Sequence, residues 1–90
     1  MPKFVIEREL PGAGSLTPEE LHTISVKSNE VLTSMAPRAS WLQSYVTTDK
    51  IYCVYMAENE AAVREHAAKG GFPANAISRV AAVIDPSSGE

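Results

Sequence analysis

Two runs of β-branched and aromatic residues on either side of a four-residue polar turn constrain this chain more than any other feature. Trp41-Leu42-Gln43-Ser44-Tyr45-Val46 and Ile51-Tyr52-Cys53-Val54-Tyr55-Met56 flank Thr47 to Lys50, a composition that suits a pleated sheet and predicts a β-hairpin. A turn centred on Thr48 and Asp49 pairs Val46 with Ile51, Ser44 with Cys53 and Leu42 with Tyr55 on one face. The other face then pairs Tyr45 with Tyr52, Gln43 with Val54 and Trp41 with Met56. Both faces are largely apolar, so the hairpin requires cover on both sides: helices on one, a partner or ligand on the other.

The flanking segments supply the helices. Thr17-Pro18-Glu19-Glu20 combines a capping threonine, a proline in the first turn and a glutamate three residues after the cap. From there Leu21, Ile24, Ser28, Val31, Leu32 and Met35 recur at 3-and-4 spacing as one buried stripe, and Ala36-Pro37 ends it. After the hairpin, Glu58-Asn59-Glu60 opens a second helix with Asn59 as cap. Ala62, Val63, His66, Ala67 and Gly70 form its inner stripe, and Gly70-Gly71 stops it. Residues 3 to 10 alternate as a first strand, with Phe4, Ile6 and Arg8 on one side and Val5, Glu7 and Glu9 on the other. Residues 76 to 84 alternate as a last strand. Pro11 to Ser15 reads as a turn with the freedom of a mobile lip; its glycines match neither a dinucleotide-binding nor a phosphate-loop spacing.

The resulting βαββαβ order predicts an α+β, ferredoxin-like domain: a four-stranded antiparallel sheet in spatial order 4-1-3-2 with both helices on one face. One domain spans residues 1–86, with 87–90 as a flexible tail. Phe4, Ile6, Leu42, Val46, Ile51 and Cys53 are expected under the helices. Val5, Glu7, Glu9, Trp41, Gln43, Tyr45, Tyr52, Val54 and Met56 are expected on the opposite face, a set too apolar to be left to water. The expected solution is a homodimer of the dimeric α/β barrel type, two sheets face to face around a small cavity.

The totals set the class of partner. A net charge of −3 in 90 residues offers no general attraction for nucleic acid or an anionic membrane, and no apolar run reaches the roughly 20 residues of a membrane span. One cysteine makes neither an internal disulfide nor a thiolate cluster, and Met1-Pro2-Lys3-Phe4 does not open an export signal, so a cytoplasmic setting is expected.

Two places carry candidate chemistry. On the open face, Glu7, Gln43, Tyr45, Tyr52 and Trp41 are placed to bind a small molecule, with Glu7 as a general base or a cation ligand in an apolar setting. The alternative is that Glu7 and Glu9 pair with Arg79 or solvent and that the tyrosines are dimer contacts. Under the second helix, His66 and Cys53 share one side of the sheet. They read either as a hydrogen-bonded core histidine beside a buried thiol, or as metal ligands completed by Glu65 or by the partner copy. Glu19 and His22 form a second, weaker pair on the first helix.

The run W-x-x-S-Y-V-x-x-D-K-x-Y-C-V-Y over residues 41–55, with Arg64-Glu65-His66-Ala67 and Gly71-Phe72-Pro73, resembles a family of small actinobacterial-type nickel-binding proteins, and the likeness extends back to Phe4–Gly14. The resemblance implies a dimeric ferredoxin-like domain and an association with nickel, without an established reaction. Two function classes follow: a non-catalytic dimer that binds nickel or a small ligand, and, by analogy of fold, a cofactorless isomerase or monooxygenase acting in a cavity on the open face.

Overall fold

A computed structural model describes all 90 residues. β1 (Lys3–Glu9), α1 (Pro18–Met35), β2 (Ala39–Val46), β3 (Lys50–Ala57), α2 (Glu60–Gly70) and β4 (Ala76–Arg79) follow in the expected order. The strands form one antiparallel sheet, β2-β3-β1-β4, which is the predicted ferredoxin-like topology.

The helix ends are built as their residues dictate. The Thr17 hydroxyl accepts the Glu20 N–H at 3.1 Å and the Glu20 carboxylate accepts the Thr17 N–H at 3.0 Å, a complete capping box ahead of α1. The Asn59 side-chain oxygen accepts the Ala62 N–H at 2.9 Å, and α2 ends at Gly71, whose φ of 69° is a left-handed conformation that glycine tolerates. Both helices cover the same face of the sheet. Val31 and Met35 of α1 and Ala62 and Val63 of α2 join Phe4, Ile6, Cys53 and Tyr55 in a single core, and the small residues of α2 let it lie close against β3.

Three expectations are corrected by pairing. The hairpin holds the predicted register from Val46–Ile51 to Gln43–Val54, then shifts by one residue: Trp41 lies opposite Tyr55 and Ser40 opposite Met56. Leu42 is the extra residue of a β-bulge and is half-exposed, while Trp41 turns to the helix-covered side, stacks on Tyr55 at 6.5 Å and packs against the core. A period-2 count has no means of registering an inserted residue, so it places the positions beyond the bulge on the wrong side. Leu42 is therefore not a core residue and Trp41 is not on the open face.

The last strand ends at Arg79 rather than Ile84. β4 is an edge strand whose only neighbour is β1, and its final bond is from the Val80 N–H to the Lys3 carbonyl at 2.8 Å. Pro2 comes next on β1 and has no N–H to offer, so the alternating residues 81–84 find no ladder; Val83 and Ile84 are exposed. Residues 86–89 form a 3-10 turn capped by Asp85.

The glycine segment after β1 is tied down. Gly14 donates to the Thr48 carbonyl and Leu10 to the Asp49 carbonyl, both at 2.9 Å, and Gly12 donates to the Asp49 side chain at 3.0 Å. A Cβ at Gly14 would lie 3.0 Å from the Thr48 Cα, so the close approach of the two loops is what requires glycine there. The segment braces the hairpin turn.

Candidate functional site

β1 carries Arg8 inward. The alternation that buries Phe4 and Ile6 places Arg8 on the same face, at 5% exposure. Its Nε donates to the Cys53 sulfur at 3.3 Å and its Nη1 to the Pro73 carbonyl at 2.6 Å. The guanidinium lies 5.5 Å from the centre of the Phe72 ring, a cation–π contact. No carboxylate approaches it: the ion pairs of the molecule join Arg38 to Glu65, Lys50 to Glu7, Arg64 to Glu60 and Lys69 to Glu65.

Arg8 lines a cavity of about 240 Å³ between α1 and the sheet. Leu10, Leu21, Ile24, Val46, Ile51 and Phe72 give it apolar walls, and Arg8, Ser28, Cys53 and the Tyr55 ring lie along the remainder. Behind this wall runs a hydrogen-bonded chain. The Tyr55 hydroxyl lies 3.3 Å from the Ser28 Oγ, and Ser28 lies 3.1 Å from the Nε2 of His66. His66 is 1% exposed, packed between the rings of Tyr55 at 5.0 Å and Phe72 at 5.6 Å, and its Nδ1 is buried without a hydrogen-bond partner. Burial pushes the Tyr55 hydroxyl above its ordinary value, opposed by the bond to Ser28.

His66 points inward as its place on the apolar stripe of α2 requires, and its partner is the Ser28 hydroxyl rather than Cys53. Burial, aided by the positive charge of Arg8, holds His66 below its ordinary pKa of 6.5. A base whose pKa is depressed on folding takes up its proton more readily in the unfolded chain. Folding stability is therefore full above about pH 6.5 and falls as the pH drops below it. Glu65 is held down at about 2 by its hydrogen bonds to Arg38 and then Lys69, so its contribution is full above its ordinary value of 4.5 and is lost between there and about 2, below this window. Urea denaturation between pH 7.5 and 5 is expected to show the loss, and His66→Gln to flatten it. An unchanged slope in the variant would mean that another group carries the dependence.

The open-face residues are brought together as expected, apart from Trp41. Glu7 lies opposite Tyr52, and Tyr52 opposite Tyr45, in one row across β1, β3 and β2; the Gln43 amide donates to the Tyr45 hydroxyl. The Glu7 carboxylate accepts from the Lys50 ammonium at 2.5 Å, so its partner is Lys50 rather than Arg79. That bond raises the Lys50 pKa. The cavity of the single chain is on the other side of the sheet.

The metal candidates do not assemble. Nickel(II) is served by several imidazole, carboxylate or thiolate donors, and no three His, Cys, Asp or Glu side chains converge anywhere in the chain. Cys53 and His66 share the buried side, but Cys53 already accepts from the Arg8 cation, whose charge opposes a second cation there. The Glu65 carboxylate is taken by Arg38 in two bonds of 2.9 and 2.6 Å and by Lys69 at 2.9 Å. Glu19 and His22 are exposed on α1. These residues do not fit a nickel centre built within one copy.

Sequence reasoning left out Arg8, Ser28, Tyr55 and Phe72 as site residues. The signal for Arg8 was present, since a charged residue in phase with Phe4 and Ile6 is a buried cation in need of a reason. Ser28 was equally visible as a hydroxyl in an apolar stripe. Phe72 was not, because it comes from the connector after α2 and reaches Arg8 only through the fold.

Residues 4–80 match the model of a family described as nickel-responsive protein, SCO4226-like. Among solved structures, the crystal structure of SCO4226 from Streptomyces coelicolor A3(2) superposes with a TM-score of 0.75 at 21% identity, covering 91% of this chain and 99% of that one. At that identity the likeness establishes the fold. No curated protein matches the sequence significantly.

Proposed function

The chain belongs to the SCO4226-like nickel-responsive family, and from that premise we propose that it acts as a small cytoplasmic binding protein, holding an organic molecule in the cavity beneath its helices. The observation that carries this reading is the cavity itself: about 240 Å³, walled by aliphatic side chains and Phe72, with Arg8 and Ser28 among its lining residues. Apolar walls with a few placed polar groups are the usual make-up of a small-molecule site, and a cavity of 150 Å³ is enough to hold benzene. A buried free thiol, Cys53, suits a reducing compartment.

The working form in this proposal is a homodimer through the open sheet face. Tyr45 is 56% exposed there, with Val5, Tyr52, Val54 and Met56 half-buried beside it. A second copy would remove this surface from water without disturbing the cavity on the far side.

Nickel enters through the family's description, and the donors of a single copy do not build a site for it. The proposal therefore rests on the cavity, and one pair of titrations tests it. Benzyl alcohol and benzoate titrated into the protein and followed by NMR are expected to shift Ile24, Ile51 and Phe72 saturably, while nickel calorimetry is expected to be the same for wild type and His66→Gln. Absence of shifts at the cavity, or stoichiometric nickel binding abolished in His66→Gln, would overturn it.

A further inference from the structure

We propose that the cavity selects organic anions, namely a carboxylate on a compact apolar body, and that Arg8 is the residue that recognises the charge. This rests on the cavity being the binding site and names the class of molecule it takes.

The argument starts from a cost. A buried cation without an anion beside it forfeits hydration that neutral partners restore only in part, and such groups are ordinarily paired. Arg8 is 95% withdrawn from solvent, yet its partners are a thiol, a backbone carbonyl and an aromatic face. None carries a full negative charge. A guanidinium presents five N–H donors in a planar fork, and the hydrogen bonds formed here use Nε and Nη1. Nη2 makes no such bond; the neutral Tyr55 hydroxyl is near enough to feel the Arg8 charge, and the residue borders the cavity. A guanidinium with no acid beside it, bordering a cavity, is placed to meet an anion that enters there.

The same fork that suits carboxylate would also take phosphate. The walls decide between them. Leu10, Leu21, Ile24, Val46 and Ile51 would gain nothing from inorganic phosphate, but would bury a ring or short alkyl chain joined to the charged group. The geometry thus fits a monoanion with an apolar tail. Metal cations and protonated amines are disfavoured at the same place by the charge of Arg8.

Phe72 and Pro73 hold Arg8 in position. The ring covers one face of the guanidinium, and the Pro73 carbonyl fixes Nη1, so the fork does not need ordering when a ligand enters.

The test uses the full chain and three probes of one shape: benzoate, benzamide and benzylamine, with inorganic phosphate alongside. Benzoate is expected to bind at least about tenfold more tightly than benzamide, the scale of a hydrogen bond to a charged group, and benzylamine is expected not to bind. In Arg8→Gln, benzoate is expected to fall to the benzamide level, while the unliganded variant melts at or above the wild-type temperature because an unpaired buried charge has been removed. Equal binding of benzoate and benzamide to the wild type would overturn the inference and leave the cavity reading standing. Failure of every probe would remove both. Phosphate binding as tightly as benzoate would overturn the assignment to an organic acid. Arg8→Gln that loses stability while keeping benzoate affinity would make Arg8 a structural residue. Should that variant not fold, the wild-type comparison decides alone, and Ser25→Leu, which fills the cavity from α1 and keeps Arg8, is expected to abolish benzoate binding.

Discussion

Ile6→Ala is expected to cost about 2–5 kcal/mol, a large share of the roughly 5–15 kcal/mol that holds a domain of this kind together. Ile6 is 0% exposed on the central strand, with Cys53 across from it on β3 and Ile77 on β4. Both neighbouring strands and the helices are fixed around it, so little can move in to fill the space that truncation leaves. For a domain of this size each kcal/mol lowers the melting temperature by about 4–8 °C, which makes the loss easy to see by calorimetry. Val5→Ala, one residue along and on the open face, supplies the contrast. Val5 is half-buried in the single chain and loses fewer carbons on truncation, so a smaller loss is expected there; a loss as large as that at Ile6 would show that something covers the open face as completely as the helices cover the other. A melting temperature for Ile6→Ala within a few degrees of wild type would contradict the packing described here.

The second large effect is expected at Gly70. A Cβ built there would lie 2.2 Å from the Phe72 Cε2 and 2.5 Å from its Cδ2, distances at which the ring has to move. Alanine improves helix propensity over glycine by up to about 1 kcal/mol, so the sign depends on what displacing the ring costs. Phe72 stacks on His66, covers Arg8 and lines the cavity, and overpacking at such a site typically costs about 1–3 kcal/mol. Displacement also opens Arg8 to water. Gly70→Ala is therefore expected to lower the urea midpoint and weaken benzoate binding together. A raised midpoint with full binding would mean that the ring swings aside freely and that it does not hold Arg8.

These expectations depend on the helix-covered side of the sheet, and the sequence pointed more strongly to the other side. The concentration of tyrosines beside Glu7 is easy to read from alternation, and the structure does align Glu7, Tyr52 and Tyr45 in one row. What alternation does not report is charge compensation. Glu7 finds Lys50 from the same sheet, whereas Arg8 finds no acid at all. The residue without a partner of opposite charge, rather than the one in the more aromatic setting, marks the candidate site.

Local rules decided the elements of this protein. Capping at Thr17 and Asn59, the stop at Gly71 and the order βαββαβ follow from hydrogen-bonding and conformational preferences that act over a few residues, and they survive intact in the fold. The strand order β2-β3-β1-β4 is the arrangement that this element order implies. Tertiary structure alone decided the rest. An inserted residue at Leu42 sent Trp41 to the core side, and the end of the β1 ladder left residues 81–84 unpaired, because pairing depends on what a neighbouring strand can offer. The approach of Phe72 and Pro73 to Arg8, across 64 and 65 positions of chain, created the cavity wall, and the meeting of Ser28, Tyr55 and His66 linked side chains drawn from three separate elements, leaving the His66 Nδ1 unpartnered. Contacts of that range leave no periodic trace in the chain, since they are set by which surfaces the sheet and helices bring within a few ångströms of one another.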